Sequence, residues 1–117
     1  EIEGHSFRIE VADDPQERQT GLMYRSELDA DSGMIFVYPD EAPRGFWMEN
    51  TRIPLSIAYI DRTGTILQIS DLIPFDRTTV ASVAPAMYAL EVNRGRFEAL
   101  GITKGASVKG LPGPSKQ

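Results

Sequence analysis

The sequence predicts a mainly β domain of the α+β class, a curved and mostly antiparallel sheet or a barrel-like closure of one, with two short helices at its edges or ends. Three observations predict it. Short apolar runs recur along the chain: "SFRIEVA", "GMIFVYP", "FWMEN", "LSIAYID", "TILQIS", "TTVASV" and "MYALEV". Each is of strand length, and most are bounded by Pro, Gly, Asp or Asn, the residues that favour turns. Only two stretches, near residues 14 and 93, begin like helices. At 117 residues the chain is one domain, and folding removes roughly two thirds of its unfolded-state surface from water. The domain is expected over residues 1–110, with 111–117, "LPGPSKQ", a flexible tail that has little to bury.

In the first run Phe7, Ile9 and Val11 alternate with Arg8 and Glu10, the period of a half-buried strand. In "DDPQERQTGLMYR", Asp14 can cap a helix, Pro15 suits its first position and Glu17 can complete a capping box. About ten residues of helix ending near Tyr24 are expected. Gly21 within it costs about 1 kcal/mol relative to alanine, so its small size is expected to serve close approach to a neighbouring strand. The run "GMIFVYP" reads as a buried strand closed by Pro39, followed by a polar loop, "PDEAPRG". "FWMEN" and "LSIAYID" are further strands, separated by Pro54, which has no N–H for a central ladder. "DRTG", with Asp61 as a turn residue, leads into the return strand "TILQIS". After "IPFD" come "TTVASV" and "MYALEV", and then Asn93 is expected to cap a short helix, "RGRFEAL", ended by Gly101.

Composition excludes several chemistries. The absence of cysteine removes disulfides, thiolate catalysis and Cys-ligated zinc. The single histidine, His5, lies outside the first strand at an end expected to be mobile, so no Ser-His triad and no pair of zinc-binding histidines is available. Twelve Lys and Arg against seventeen Asp and Glu give a net charge of −5. That charge opposes the counterion release on which nucleic-acid affinity rests, so no nucleic-acid partner is expected. No apolar run reaches the roughly 18 residues of an integral membrane segment. The glycines form no phosphate-cradling loop, and no cofactor or metal site is called for.

Four ordered blocks, "GLMYRSEL" (21–28), "GMIFVYP" (33–39), "FWMENTRIPL" (46–55) and "YALEVNRGRFEALGI" (88–102), resemble the domain-of-unknown-function 192 family. The resemblance runs from about Phe7 to Val108. It implies a compact, mostly β domain of bacteria and archaea, often behind an export signal and without an established biochemical activity. With a chain that opens at Glu1 rather than Met, it leads to the expectation of an exported, periplasmic or cell-envelope protein that has lost an upstream signal segment. Two positions depart from the family, Glu49 where Lys is frequent and Ser56 where Asp is frequent, which weakens any charged pair proposed there.

The candidate ligand-binding residues are Met23, Arg25, Trp47, Met48, Asn50, Thr51, Glu91 and Asn93. Trp47 and Met48 are adjacent, so on a strand at most one faces a given core; both are packing, or Trp47 lines a recognition cleft with its ring and single N–H. Asn50 and Thr51 are turn residues that satisfy local backbone, or the amide and hydroxyl that orient a ligand. Arg25 closes the expected helix as a C-terminal cation, or clamps an anion. Glu91 sits inside "YALEV"; on a buried face its carboxylate needs a partner, for which Arg25 is the candidate, and its pKa would then be perturbed. The first reading is a monomeric binding or accessory module for a small molecule, peptide or glycan. The alternative is a small hydrolase or carbohydrate-active enzyme with Glu91 as catalytic group. A minor alternative is Cu(I) held by methionines, Met23 and Met48 among them, against the ordinary use of methionine to fill cores.

Overall fold

The computed structural model describes residues 1–117. Its elements in chain order are β1 (Arg8–Ala12), α1 (Pro15–Thr20), β2 (Ser32–Ala42), β3 (Gly45–Phe46), β4 (Leu55–Ile60), β5 (Ile66–Leu72), β6 (Val80–Ala81), β7 (Ala86–Asn93) and α2 (Arg96–Ala99). Five strands form a mixed, open sheet in the order β1-β2-β7-β4-β5, and β3 pairs with β6 in a separate two-stranded ribbon. The pairings are antiparallel except β1 with β2, so the mainly β expectation holds and the closed-barrel version of it does not.

Strand β7 is central, and side-chain alternation along it divides the interior in two. Tyr88, Leu90 and Val92 join Ile35, Val37, Ala58, Ile60 and Phe97 in one core. Ala89 joins Met34, Phe36, Leu55, Ile57, Tyr59 and Met48 in the other. Strands buried on both faces read as continuous apolar runs, which is the pattern of "LSIAYI" and "MYALEV".

The N-terminal cap of α1 forms as the sequence indicates: Asp14 Oδ1 accepts from the Glu17 N–H at 2.7 Å. The Glu17 carboxylate reaches back one residue further than a capping box requires, to the Asp13 N–H. The helix is shorter than expected, six residues rather than about ten, because Gly21 turns the chain at φ 49°. A Cβ on Gly21 would lie 3.1 Å from the Phe36 ring of β2, the close approach anticipated for this glycine. Strand β2 runs past Pro39, whose position in a register irregularity between Val37 and Ala42 removes it from the ladder.

Two strand expectations shrink. Of "FWMEN" only Phe46 stays paired, through Gly45–Phe46, and of "TTVASV" only Val80–Ala81, so residues 47–50 leave the sheet altogether. The Asn93 cap is also corrected: α2 starts at Gly95 without a side-chain cap, and the Asn93 amide donates instead to the Leu28 and Asp29 carbonyls. The N-terminal residues are packed against the fold. Ile2 is 1% exposed within the first core and bridges both His5 and Val108, and the Lys109 N–H donates to the Glu1 carbonyl at 2.7 Å. At the other end Leu111 packs on that core, and the Ser115 N–H reaches the Tyr38 carbonyl.

Candidate functional site

Glu91 is where the strand pattern and the chemistry part company. It stands in the central strand, opposite Met34 of β2 and Ile57 of β4, and is 4% exposed. Its neighbours in sequence, Leu90 and Val92, point into the first core, so its side chain points to the other face. Arg25 does not meet it there. The Arg25 guanidinium forks the carboxylate of Glu10 on β1, in an ion pair open to solvent. That pair raises the guanidinium and lowers the Glu10 carboxyl, in both cases chiefly through the shared hydrogen bonds. Arg25 is not a helix-terminal cation either, since α1 ends at Thr20.

No protein group pairs with Glu91. Burial is the sole influence on its carboxyl, which is pushed up to about 8, with no hydrogen bond or cation holding it down. No side-chain oxygen or nitrogen in the protein is both sealed from solvent and unpartnered, so the Glu91 oxygens open onto free space. That space is a cavity of ≈ 180 Å³, roofed by the end of α1 and by the segment after β3. Gly21, Leu22 and Met23 line one side, Phe36 and Tyr38 of β2 another, and Phe46, Trp47, Met48 and Thr51 a third, with Glu91 at the floor.

The roof is held in uncommon backbone. Tyr24, Asn50 and Phe75 have φ of 66°, 56° and 64°, a region that bulky residues rarely occupy. They belong to one network: the Tyr24 N–H donates to the Asn50 carbonyl at 2.9 Å, and the Phe75 N–H to the Thr51 carbonyl at 3.0 Å. The Asn50 amide donates to the Tyr24 hydroxyl at 3.0 Å, and the Met48 N–H to the Asp76 carbonyl at 2.7 Å. Strain of about 1–3 kcal/mol per such residue persists only where surrounding contacts impose it, and here those contacts fix the segment that carries Trp47.

Five of the eight candidate residues, Met23, Trp47, Met48, Thr51 and Glu91, therefore line one cavity, while Arg25, Asn50 and Asn93 do not. Trp47 and Met48, although outside any strand, face different ways: the indole is 44% exposed and the thioether 2%. Thr51 is buried, its hydroxyl donating to the Glu49 carbonyl at 3.1 Å. Sequence reasoning missed Phe36, Tyr38, Phe46 and Arg18, which also line the cavity. Arg18 donates to the Val37 carbonyl at 2.8 Å, and its guanidinium carbon stands 4.9 Å from the centre of the Tyr38 ring. Burial pushes the Tyr38 hydroxyl up, offset by Arg44 and Arg18. Burial also raises the Tyr59 hydroxyl, which donates to the Val80 carbonyl at 2.6 Å. The one available signal was the α1 pattern, which places Arg18 one turn before Gly21; nothing local marks the β2 aromatics.

No helix is long and apolar enough to cross a membrane. Two solved structures resemble the chain over most of its length. One is from Sinorhizobium meliloti 1021 and is described as a proposed transcription regulator, 37% identical, with a TM-score of 0.83 over 85% of this chain and 78% of that one. The other is a protein of unknown function from Novosphingobium aromaticivorans DSM 12444, 38% identical, with a TM-score of 0.83 over 89% of this chain and 75% of that one. No curated protein matches. The model of the DUF192 family, described as an uncharacterised ACR, matches residues 1–110, and the chain belongs to that family.

Proposed function

We propose that this protein is a ligand-binding module whose site is the cavity beneath Trp47, with Glu91 at its floor. One observation carries the reading: a carboxyl group on the central strand, 96% buried and paired with nothing in the protein, opens into that cavity. An ionisable group buried without a partner is costly to the fold, and such groups concentrate at functional sites. The exposed indole at the mouth and the strained loops that position it fit the same purpose. A cell-envelope location after export rests on the family resemblance alone.

The hydrolase reading is less favoured, because Glu91 is the only carboxyl group lining the cavity and glycoside hydrolysis ordinarily uses two. A nucleic-acid role, suggested for the Sinorhizobium protein by its description, is not adopted. The chain is acidic, and five of its arginines, Arg25, Arg44, Arg77, Arg94 and Arg96, already face carboxylates.

Trp47 supplies the test, being the only tryptophan. Its emission is expected to be red-shifted relative to a core indole and readily quenched by acrylamide. Trp47→Ala is expected to cost less than the ~3 kcal/mol of a buried aromatic truncation and to abolish binding measured by calorimetry. A blue-shifted, protected indole whose removal unfolds the protein would make Trp47 core and leave the cavity without its mouth.

A further inference from the structure

We propose that the ligand of this cavity is a compact organic ammonium ion, held with its charge against Glu91 and its alkyl body among the rings of Phe36, Phe46 and Trp47. The inference deepens the binding reading above and rests on it. The lining brings four aromatic side chains and one acid around ≈ 180 Å³; the Tyr38 ring already carries the Arg18 and Arg44 guanidinium groups, which leaves Phe36, Phe46 and Trp47 to meet a cation. Aromatic faces carry negative charge density and attract cations, the more so when both are desolvated. A carboxylate that lacks an internal counter-ion does the same.

Arg18, the one cation in the lining, is directed elsewhere, donating to the Val37 carbonyl and lying over Tyr38. It contributes nothing to the Glu91 carboxyl, which responds to burial alone. Thr51 already spends its hydroxyl proton on the Glu49 carbonyl, so toward the cavity its oxygen is an acceptor, suited to an N–H or O–H donor rather than to an anion. Size sets a further limit. The volume is similar to the ~150 Å³ of cavities that admit benzene, so a head group of a few heavy atoms fits and a folded peptide or an oligosaccharide does not.

The chemistry has a pH signature. Glu91 faces Tyr38 of β2 and Tyr59 of β4, whose hydroxyls burial moves further above neutrality, and shares the cavity with Arg18 of α1. Only the Glu91 carboxyl changes state between pH 6 and 8. An ammonium ion binds its ionised form and displaces a proton from it, so affinity rises with pH; a neutral or anionic ligand bound by the protonated acid shows the reverse.

Choline, its neutral isostere 3,3-dimethylbutan-1-ol, and acetate are the probes, titrated against the full chain by Trp47 fluorescence and calorimetry at pH 6, 7 and 8. Choline is expected to bind more tightly than either control, with an affinity that rises about tenfold from pH 6 to 7. Glu91→Gln is expected to weaken choline at pH 8 by at least about tenfold while melting no earlier than the parent. Binding of the alcohol or of acetate equal to that of choline, or a choline affinity that is flat or falls with pH, would overturn the cation assignment and leave the binding module standing. Unchanged choline affinity in Glu91→Gln would overturn it too. Absence of binding by all three probes would overturn the cation assignment, while the exposure of Trp47 decides the binding reading by itself. If the variant does not fold, the pH profile of the parent protein decides alone.

Discussion

Glu91 concentrates the physics of this protein in one side chain. Its carboxyl ionises at about 8 in the fold against 4.5 for an unburied glutamate. Between those values the unfolded chain has already released the proton that the folded chain retains, so stability falls as pH rises, and the loss is complete once pH passes about 8. Glu91→Gln removes the titration and keeps the shape. The variant is therefore expected to match the parent near pH 4 and to exceed it above pH 8 by on the order of 3–5 kcal/mol. Urea unfolding at pH 4, 6 and 9 measures this, and parallel stability curves for the two proteins would show that the carboxyl is not desolvated as described. Trp47 is the counterpart at the cavity mouth. The sequence separates it from Met48 only if both lie on a strand; they lie beyond β3, and the loop contacts put the indole on the exposed side.

At the scale of elements, the site exists because two segments stop short of their local preferences. Helix α1 ends at Thr20, although apolar and aromatic residues continue to Tyr24. The cause is Gly21, which bends the backbone and passes over the Phe36 ring. Gly21→Ala is expected to destabilise by about 1–3 kcal/mol, from the positive φ and the crowded ring together, and to disturb ligand binding, since Gly21 is itself part of the lining. A thermal melt and a choline titration of the variant would check both effects; a melt no lower than that of the parent would mean that the turn is not strained. After β3 the chain likewise leaves the ladder. Residues 47–50 are released from strand geometry, and their bonds to the loops at Tyr24 and Asp76 turn a would-be strand into the roof of the cavity. Local propensity favoured a strand here, and tertiary contacts overrode it.

Across the whole molecule, the two cores divide the work. The first is closed by contacts between residues far apart in the chain: Ile2 with Val108, and Thr65 with Ser107. Ile2→Ala is expected to cost about 2–5 kcal/mol, read by denaturant midpoint at unchanged slope, with little effect on the cavity on the opposite face of the sheet. A loss below about 0.5 kcal/mol would restore the mobile N-terminus expected from its place outside the first strand. The second core is interrupted by the cavity and by Glu91, which places the site on that face of the sheet.

Periodicity, turn residues and the Asp14 cap determined the strand segments, the helix start and the mainly β class, because these depend on contacts within a few residues. The four sequence blocks determined the family. Alternation also determined that Glu91 and Leu90 face opposite ways. Only the tertiary structure decided that β7 lies at the centre and that Arg25 pairs with Glu10. It likewise decided that Asn93 holds the Leu28–Asp29 backbone, and that four aromatic side chains and an unpaired acid line one cavity. A period of two residues states which side chains share a face, but what covers that face is set by strand order and loop path. Those follow from burial summed over the whole chain, which no local pattern contains.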